Sequence, residues 1–367
     1  MALNQVGLER LNTATTKKIG TNKNLIINGA MNVSQRATSS TGLGASAGYF
    51  TLDRYRTTFS STAGRLTMSQ VADVHDGFAN AMKFECTTAD TSVAAGEYFI
   101  LQQKFEGQDL QQLKKGSSDA EEFTVSFYVK GNASATYVVE MYDLDNNRQV
   151  GKTFSVTTSW TRVELTFPAD TTGALDDDNA ASLQLGIWLH AGSNYTSGTL
   201  ATSWISNVSA QRAGGISSFF DSTDRTFFLT GLQLEVGSVA TDFEHRSFAE
   251  ELKLCQRYYY KQKANNNEFF RGMGMADVDG NSVILNSPFP TTMRVAPSAL
   301  EQSGTASEYK IRRSTTATCT SVPTFGHATQ DQLVCVFTKS SHGFGDGSAV
   351  RAVSGTGGAF LAVSAEL

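Results

Sequence analysis

FTVSFYVK at residues 123–130 and SLQLGIWLH at residues 182–190 are the stretches that decide the fold. In the first, Phe123, Val125, Phe127 and Val129 fall on one face; in the second, Leu183, Leu185, Ile187 and Leu189 do. Apolar residues at every second position mark half-buried strands, because successive side chains of a strand point to opposite faces. YVVEMY (137–142), KTFSV (152–156) and WTRVELTF (160–167) lie between them and carry the same pattern. Turn-forming clusters at 131–132, 143–147, 170–173 and 192–194 separate these runs. Several strands at short spacing, with no helix between them, predict an all-β sandwich or jelly roll.

Outward from this core the chain divides into four parts. Residues 1–23 are polar, with isolated Leu3, Val6, Leu8 and Leu11, and read either as an arm that orders on a partner or as a frayed terminus. Residues 24–246 carry the sandwich. Ser247 and Glu250 form a capping box, and Phe248, Leu252, Cys255 and Tyr259 recur on one helical face, so 247–260 is expected to be a short helical connector with its apolar stripe docked. Residues 261–367 return to strand patterning at 282–285, 309–312, 332–337 and 359–365, and predict a small C-terminal β domain.

With 367 residues the chain can bury a core without disulfides or a structural metal. Its 30 Lys and Arg against 35 Asp and Glu give a net charge of -5. Recognition of nucleic acid needs clustered cations, and the densest cluster, Lys310, Arg312 and Arg313, reads as a solvated strand edge. No signal peptide or membrane-spanning stretch is present, so a protein working outside cells would leave by another route, such as release of assembled particles by lysis from the host cytoplasm. Cys86, Cys255, Cys319 and Cys335 have no metal-ligand spacing; buried free thiols are the simpler reading, although Cys319 and Cys335 share one domain.

Catalytic signatures are missing from the sequence. His75, His190, His245, His327 and His342 form no metal-binding pair on a helix, and no nucleophile elbow or phosphate loop occurs. His190, next to Trp188 in its strand, reads as an interior or edge histidine. Asp176, Asp177 and Asp178 are the densest acidic run: a calcium site built from oxygen ligands, or a solvated loop. The run beginning at Asp143 resembles the start of a calcium loop but has Phe154 where a bidentate Glu belongs, while Asp277, Asp279 and Asn281 fit a hairpin turn equally well. Sugar binding needs an aromatic face plus polar groups for hydroxyls. Tyr195 and Trp204 flank a polar loop and form a candidate platform, against the alternative that the tryptophans pack inside the sandwich.

Two strings at opposite ends of the sandwich carry a family resemblance. NLIINGAMNVSQR (24–36) with YFTLDR (49–54) resembles the opening of a jelly-roll, carbohydrate-binding-module-like domain found in bacteriophage tail fibres and related virion proteins. The closing element of that family is matched by Gln233, Leu234, Glu235 and Gly237, then Phe243, Glu244 and Arg246, then CQRYY at 255–259. FPTTMRVAPS (289–298) and the terminal FLAVSAEL (360–367) look like the small β knob that often ends such fibres. The resemblance implies a non-enzymatic tail-fibre or receptor-binding subunit of a virion, commonly a homotrimer. Such a subunit attaches to other virion proteins by its N-terminal arm and adheres to a host surface glycan or other receptor. Alternatives are a head fibre, capsid decoration or tail adaptor, and a polysaccharide depolymerase, which would need a close acid pair. Asp53 with Arg54, and Glu244 with Arg246, are expected to tie the two chain ends of the sandwich together.

Overall fold

A computed structural model describes residues 23–367; the expected attachment arm at 1–22 lies outside the described residues. The described chain falls into two compact units, the first ending at Ser247 and the second running Phe248–Leu367.

The first unit contains β1 (Ser39–Leu43), β2 (Gly48–Tyr49), β3 (Arg56–Ser60), β4 (Arg65–Val71), β5 (Ala81–Thr88) and β6 (Tyr98–Glu106). It continues with β7 (Phe123–Gly131), β8 (Ala135–Asp143), β9 (Arg148–Val156), β10 (Thr161–Phe167), β11 (Ala181–Ala191), β12 (Ile205–Ser206) and β13 (Thr226–Val236). They form a six-stranded sheet, β1-β4-β5-β13-β7-β10, and a seven-stranded sheet, β12-β9-β8-β11-β6-β3-β2. Every pairing is antiparallel, and the chain changes sheet repeatedly, as from β5 to β6 and from β6 to β7. The predicted all-β sandwich is therefore the fold.

The alternation read from the sequence is the alternation of the core. Phe123, Val125, Phe127 and Val129 of β7 meet Leu183, Leu185, Ile187 and Leu189 of β11 in one buried cluster. Phe99 packs edge-on against Phe84 and Phe219, with centroids 5.2 and 5.9 Å apart, a geometry that aligns ring edges with ring faces.

The matched strings at the ends of the sandwich are hydrogen-bonded to each other. Asn24 Oδ1 accepts from the backbone N–H of Ile26 (2.9 Å) and of Leu234 (3.1 Å), and the Asn24 N–H donates to Glu244 Oε2 at 2.9 Å. Arg246 Nη1 donates to the Ile26 carbonyl at 2.9 Å, and its Nη2 to the Asn24 carbonyl. Between them, Asn28 takes a left-handed φ of 63°, and a Cβ on Gly29 would lie 2.1 Å from the Leu232 carbonyl oxygen, so only glycine fits there. Glu244 and Arg246 thus do join the two ends. Asp53 and Arg54 act differently: Asp53 holds the Gln35 backbone N–H (3.0 Å), and Arg54 donates to the Lys104 carbonyl (2.7 Å), so this pair braces the opening element against β6.

In the second unit a helix spans Phe248–Gln256, directly after Ser247. The expected docked stripe is only partly realised. Cys255 is buried, Phe248 is exposed, and Tyr259 has left the helix to begin the strand Tyr259–Lys263, which pairs with Phe360–Ser364. A seven-stranded sheet and a three-stranded sheet supply the core, including Val283, Leu285, Ile311, Cys335 and Phe337. Asp279 accepts from the Asn281 and Ser282 backbone N–H groups at 2.8 Å each, which makes 277–281 the hairpin turn between Met273–Ala276 and Ser282–Pro288. Met273, Met275 and Ile284 stand exposed on these two strands.

All four cysteines are buried and free. Burial pushes the Cys86 thiol up to about 11 and those of Cys319 and Cys335 to about 12, so they stay protonated at neutral pH, and the thiolate is the reactive form. An aromatic disulfide reagent at pH 8 should therefore find no fast-reacting thiol in the native protein and four in denaturant. A native thiol titrating at once would contradict this burial.

Candidate functional site

The outward faces of β3, β6, β8 and β11 form the floor of a cleft. Because β-strand side chains alternate, Gln184 and Trp188 point away from the core that Leu185 and Ile187 enter, as do Tyr98, Ile100 and Gln102 on β6. Thr58, Tyr142, Leu144, Tyr195 and Arg212 complete the lining of a cavity of about 230 Å³. Gly186 sits between Gln184 and Trp188 on the same face and opposite both Gln102 and Glu140, and the Ile100 side chain packs over it.

One wall is assembled around a buried ion pair. The Glu140 side chain is 1% exposed, and Arg212 grips it with two parallel bonds, Nε to Oε1 and Nη2 to Oε2, each 2.7 Å. Trp188 Nε1 donates to Glu140 Oε2 at 2.9 Å. The Arg212 guanidinium also lies between two rings, 4.6 Å from the Tyr142 centroid and 4.9 Å from that of Trp188. Burial alone would lower the Arg212 pKa, but the charge and hydrogen bonds of Glu140 outweigh it and raise it further. Tyr195, from the short helix Ser193–Thr196, packs 5.3 Å from both Tyr98 and Trp188. Burial raises the Tyr142 and Tyr195 hydroxyls above the ordinary tyrosine value, so both remain O–H donors at neutral pH.

Several polar groups of the lining have no partner among the described residues: the Tyr98 and Tyr195 hydroxyls and the Gln184 side-chain amide. The cleft thus combines aromatic edges and faces with open donors and acceptors. No carboxylate is among the lining residues.

Of the residues singled out in the sequence, Tyr195 lines this cleft and Trp204 does not. Trp204 donates its Nε1 hydrogen to the Pro168 carbonyl at 2.9 Å, stands 6.4 Å from Phe123, and packs against the sandwich core beside Lys115. The structure does not bring Tyr195 and Trp204 together, because the polar loop between them spans β11 to β12 and delivers them to different places. Trp188, which precedes the same polar loop in the sequence, is buried and supplies part of the floor of the cleft.

Asp176, Asp177 and Asp178 are exposed. Asp176 accepts from the Ser182 hydroxyl (2.8 Å), and Asp178 caps its own turn through the Ala180 N–H (2.7 Å). Their ligand atoms do not converge; among the described residues, three metal-competent side chains come together only at Asp90, Glu97 and His190. The 143–147 run is the β8–β9 turn, with Asp143 accepting from the Asn146 N–H at 2.9 Å.

No protein-family model matches the chain, and no curated protein matches it. Solved structures similar to part of it include carbohydrate-binding modules. A CBM4 domain is 12% identical, covering 57% of this chain and 97% of its own, with a TM-score of 0.30. A xylan-binding CBM22 domain is 8% identical over 60% and 100%, TM-score 0.32. The CBM22-1 xylan-binding domain of Paenibacillus barcinonensis Xyn10C is 13% identical over 50% and 87%, TM-score 0.26. At such scores none of them bears on function, and the sandwich rests on its own strand pairing.

Proposed function

We propose that the chain is a non-catalytic adhesion subunit of a virion, of tail-fibre or receptor-binding type, and that its sandwich holds a neutral glycan in the Trp188–Arg212 cleft. The observation that carries the binding reading is the pairing of the partly exposed Tyr98 and Tyr195 rings with unpartnered hydroxyl and amide groups around one concavity. Sugars present C–H faces to aromatic rings and hydroxyls to such donors and acceptors. The charge of Arg212 is matched by Glu140, which favours a neutral over an acidic sugar. The volume lies just below the range of about 300–1,000 Å³ usual for small-ligand sites, which suits a short stretch of glycan. The absence of carboxylates from the lining favours adhesion over depolymerisation, since glycoside hydrolysis needs an acid pair.

The virion assignment is supported by the sequence elements at both ends of the sandwich. Attachment through residues 1–23 and assembly as a homotrimer belong to the same proposal, with exposed Met273, Met275 and Ile284 offering apolar surface for assembly.

The test is binding of the full-length protein to a panel of neutral and acidic oligosaccharides, beside Tyr98→Ala and Tyr195→Ala. Each substitution is expected to weaken binding of a neutral ligand about tenfold, a loss of about 1.4 kcal/mol. Undiminished binding by both folded variants would place recognition elsewhere in the chain and remove the cleft from this reading.

A further inference from the structure

A second polar cluster lies inside the sandwich, where the pairing of β6 with β11 is irregular. Trp188 pairs with Ile100 but His190 already pairs with Phe99, so one extra residue is accommodated on β11. This bulge turns two consecutive side chains, Leu189 and His190, toward the interior. His190 is fully buried, 5.3 Å from the Phe220 ring, and faces Glu97 and Asp90, which are 6% and 5% exposed.

We propose that Asp90, Glu97 and His190 bind a zinc-class divalent transition-metal ion that pins the β5–β6 loop to the end of β11. Three observations carry this. First, His190 Nε2 and Glu97 Oε2 are both buried without a hydrogen-bond partner although they stand 3.4 Å apart. A direct hydrogen bond would close that gap to about 2.7–3.2 Å. Two ligands about 2.0–2.2 Å from one tetrahedral zinc lie about 3.3–3.5 Å from each other, the spacing seen here.

Second, the ring is already aimed. His190 Nδ1 is hydrogen-bonded to Ser218 Oγ at 2.8 Å, and that oxygen accepts from the Phe220 N–H at 3.1 Å. Such an outer contact fixes ring orientation in metal-ligating histidines and leaves the other nitrogen for the ion. On the third side Asp90 is held by the Thr62 hydroxyl and the Ala63 N–H, both at 2.7 Å on Oδ2. The ligand atoms of all three residues lie within 4.8 Å of one another.

Third, the charge is unbalanced. Two buried carboxylates face one imidazole, and among the described residues neither has a Lys or Arg partner. The hydrogen bonds on Asp90 offset part of this charge; a proton on His190 would neutralise one carboxylate, and a divalent cation both. An imidazole ligand selects a zinc-class ion over calcium, which prefers an all-oxygen shell.

The experiment uses the full-length protein after chelator treatment and dialysis. Zinc chloride titrated by calorimetry should bind at about one ion per chain and raise the melting temperature, whereas calcium chloride should do neither. Cobalt(II) substitution should give visible absorption, and its X-ray absorption spectrum a shell of one imidazole with oxygen ligands. Glu97→Gln and His190→Gln should each weaken zinc about tenfold or more; because both residues are buried in the sandwich, the cobalt spectrum of the unsubstituted protein is the measure independent of folding. Absence of stoichiometric zinc binding, an all-oxygen cobalt shell, or full zinc affinity in both folded variants would overturn the proposal and leave a proton shared between His190 and Glu97.

Discussion

Arg212→Met is expected to lower the stability of the sandwich by about 3–5 kcal/mol, the range for removing one partner of a buried ion pair. The substitution leaves Glu140, 1% exposed, with the Trp188 Nε1–H as its remaining bond. It also removes the cation from between Tyr142 and Trp188, a stacking contribution of about 0.5–2 kcal/mol. Chemical denaturation should show the shift in midpoint at neutral pH. The double variant Arg212→Met/Glu140→Gln should recover part of it, because the orphaned charge is then gone. A shift below about 1 kcal/mol would mean that water reaches Glu140 and that the pair is not buried as described.

A loss of similar size is expected for Lys115→Met, beside the end of β8. The Lys115 ammonium, its side chain 5% exposed, meets Asp143 and Asp170 and also donates to the carbonyls of Thr172 and Gly173 at 3.0 and 2.8 Å. Arg148 retains Asp170 through bonds of 2.8 and 3.0 Å, but Asp143, fully buried, loses its cation, at a cost of about 3–5 kcal/mol. The effect should depend on pH in a defined sense. Burial alone would raise the Asp170 pKa, but hydrogen bonds from Arg148 and Lys115 outweigh it and depress the carboxyl below its ordinary value. A depressed folded-state pKa contributes stability above the unfolded value of about 3.9 and loses it as pH falls through the folded one. Removing Lys115 weakens that depression, so the deficit of the variant should be full near pH 7 and shrink only as pH falls through the depressed folded-state pKa of Asp170, below the ordinary carboxylate value. A midpoint shift that stays constant from pH 7 down to about pH 2 would exclude this linkage.

What was legible in the sequence followed from what is local. Period-two patterning located β7, β10 and β11 and their inward faces, because each strand buries one side against a single core. The helix after Ser247 was equally plain, and Asp277 to Asn281 read as a hairpin turn or a cation loop, since turns and caps are made by near neighbours. The cleft was less accessible because its parts are distant in sequence. Arg212 reaches Glu140 across 72 residues from a loop with no signature of its own, and Tyr98, Ile100 and Gln102 lie in a strand whose outward face looks ordinary until β11 and β8 are set beside it. Alternation even misdirects at His190. Strict period two puts it on the face of Trp188, while the bulge sends it inward to Glu97. A single extra residue in a ladder leaves no mark on composition, yet it decides which chemistry meets which.

The bonding of Asn24 to Glu244 and of Arg246 to Asn24 and Ile26 places the incoming and outgoing chain of the sandwich side by side. A body closed in this way behaves as a cassette. It can be spliced into a surface loop of another protein without prising that loop open, or circularly permuted by a short joining peptide with new ends cut in an exposed turn such as 157–159. Duplication and exchange of such a module between unrelated chains need no adjustment of its interior, because the junction is sealed by its own backbone contacts.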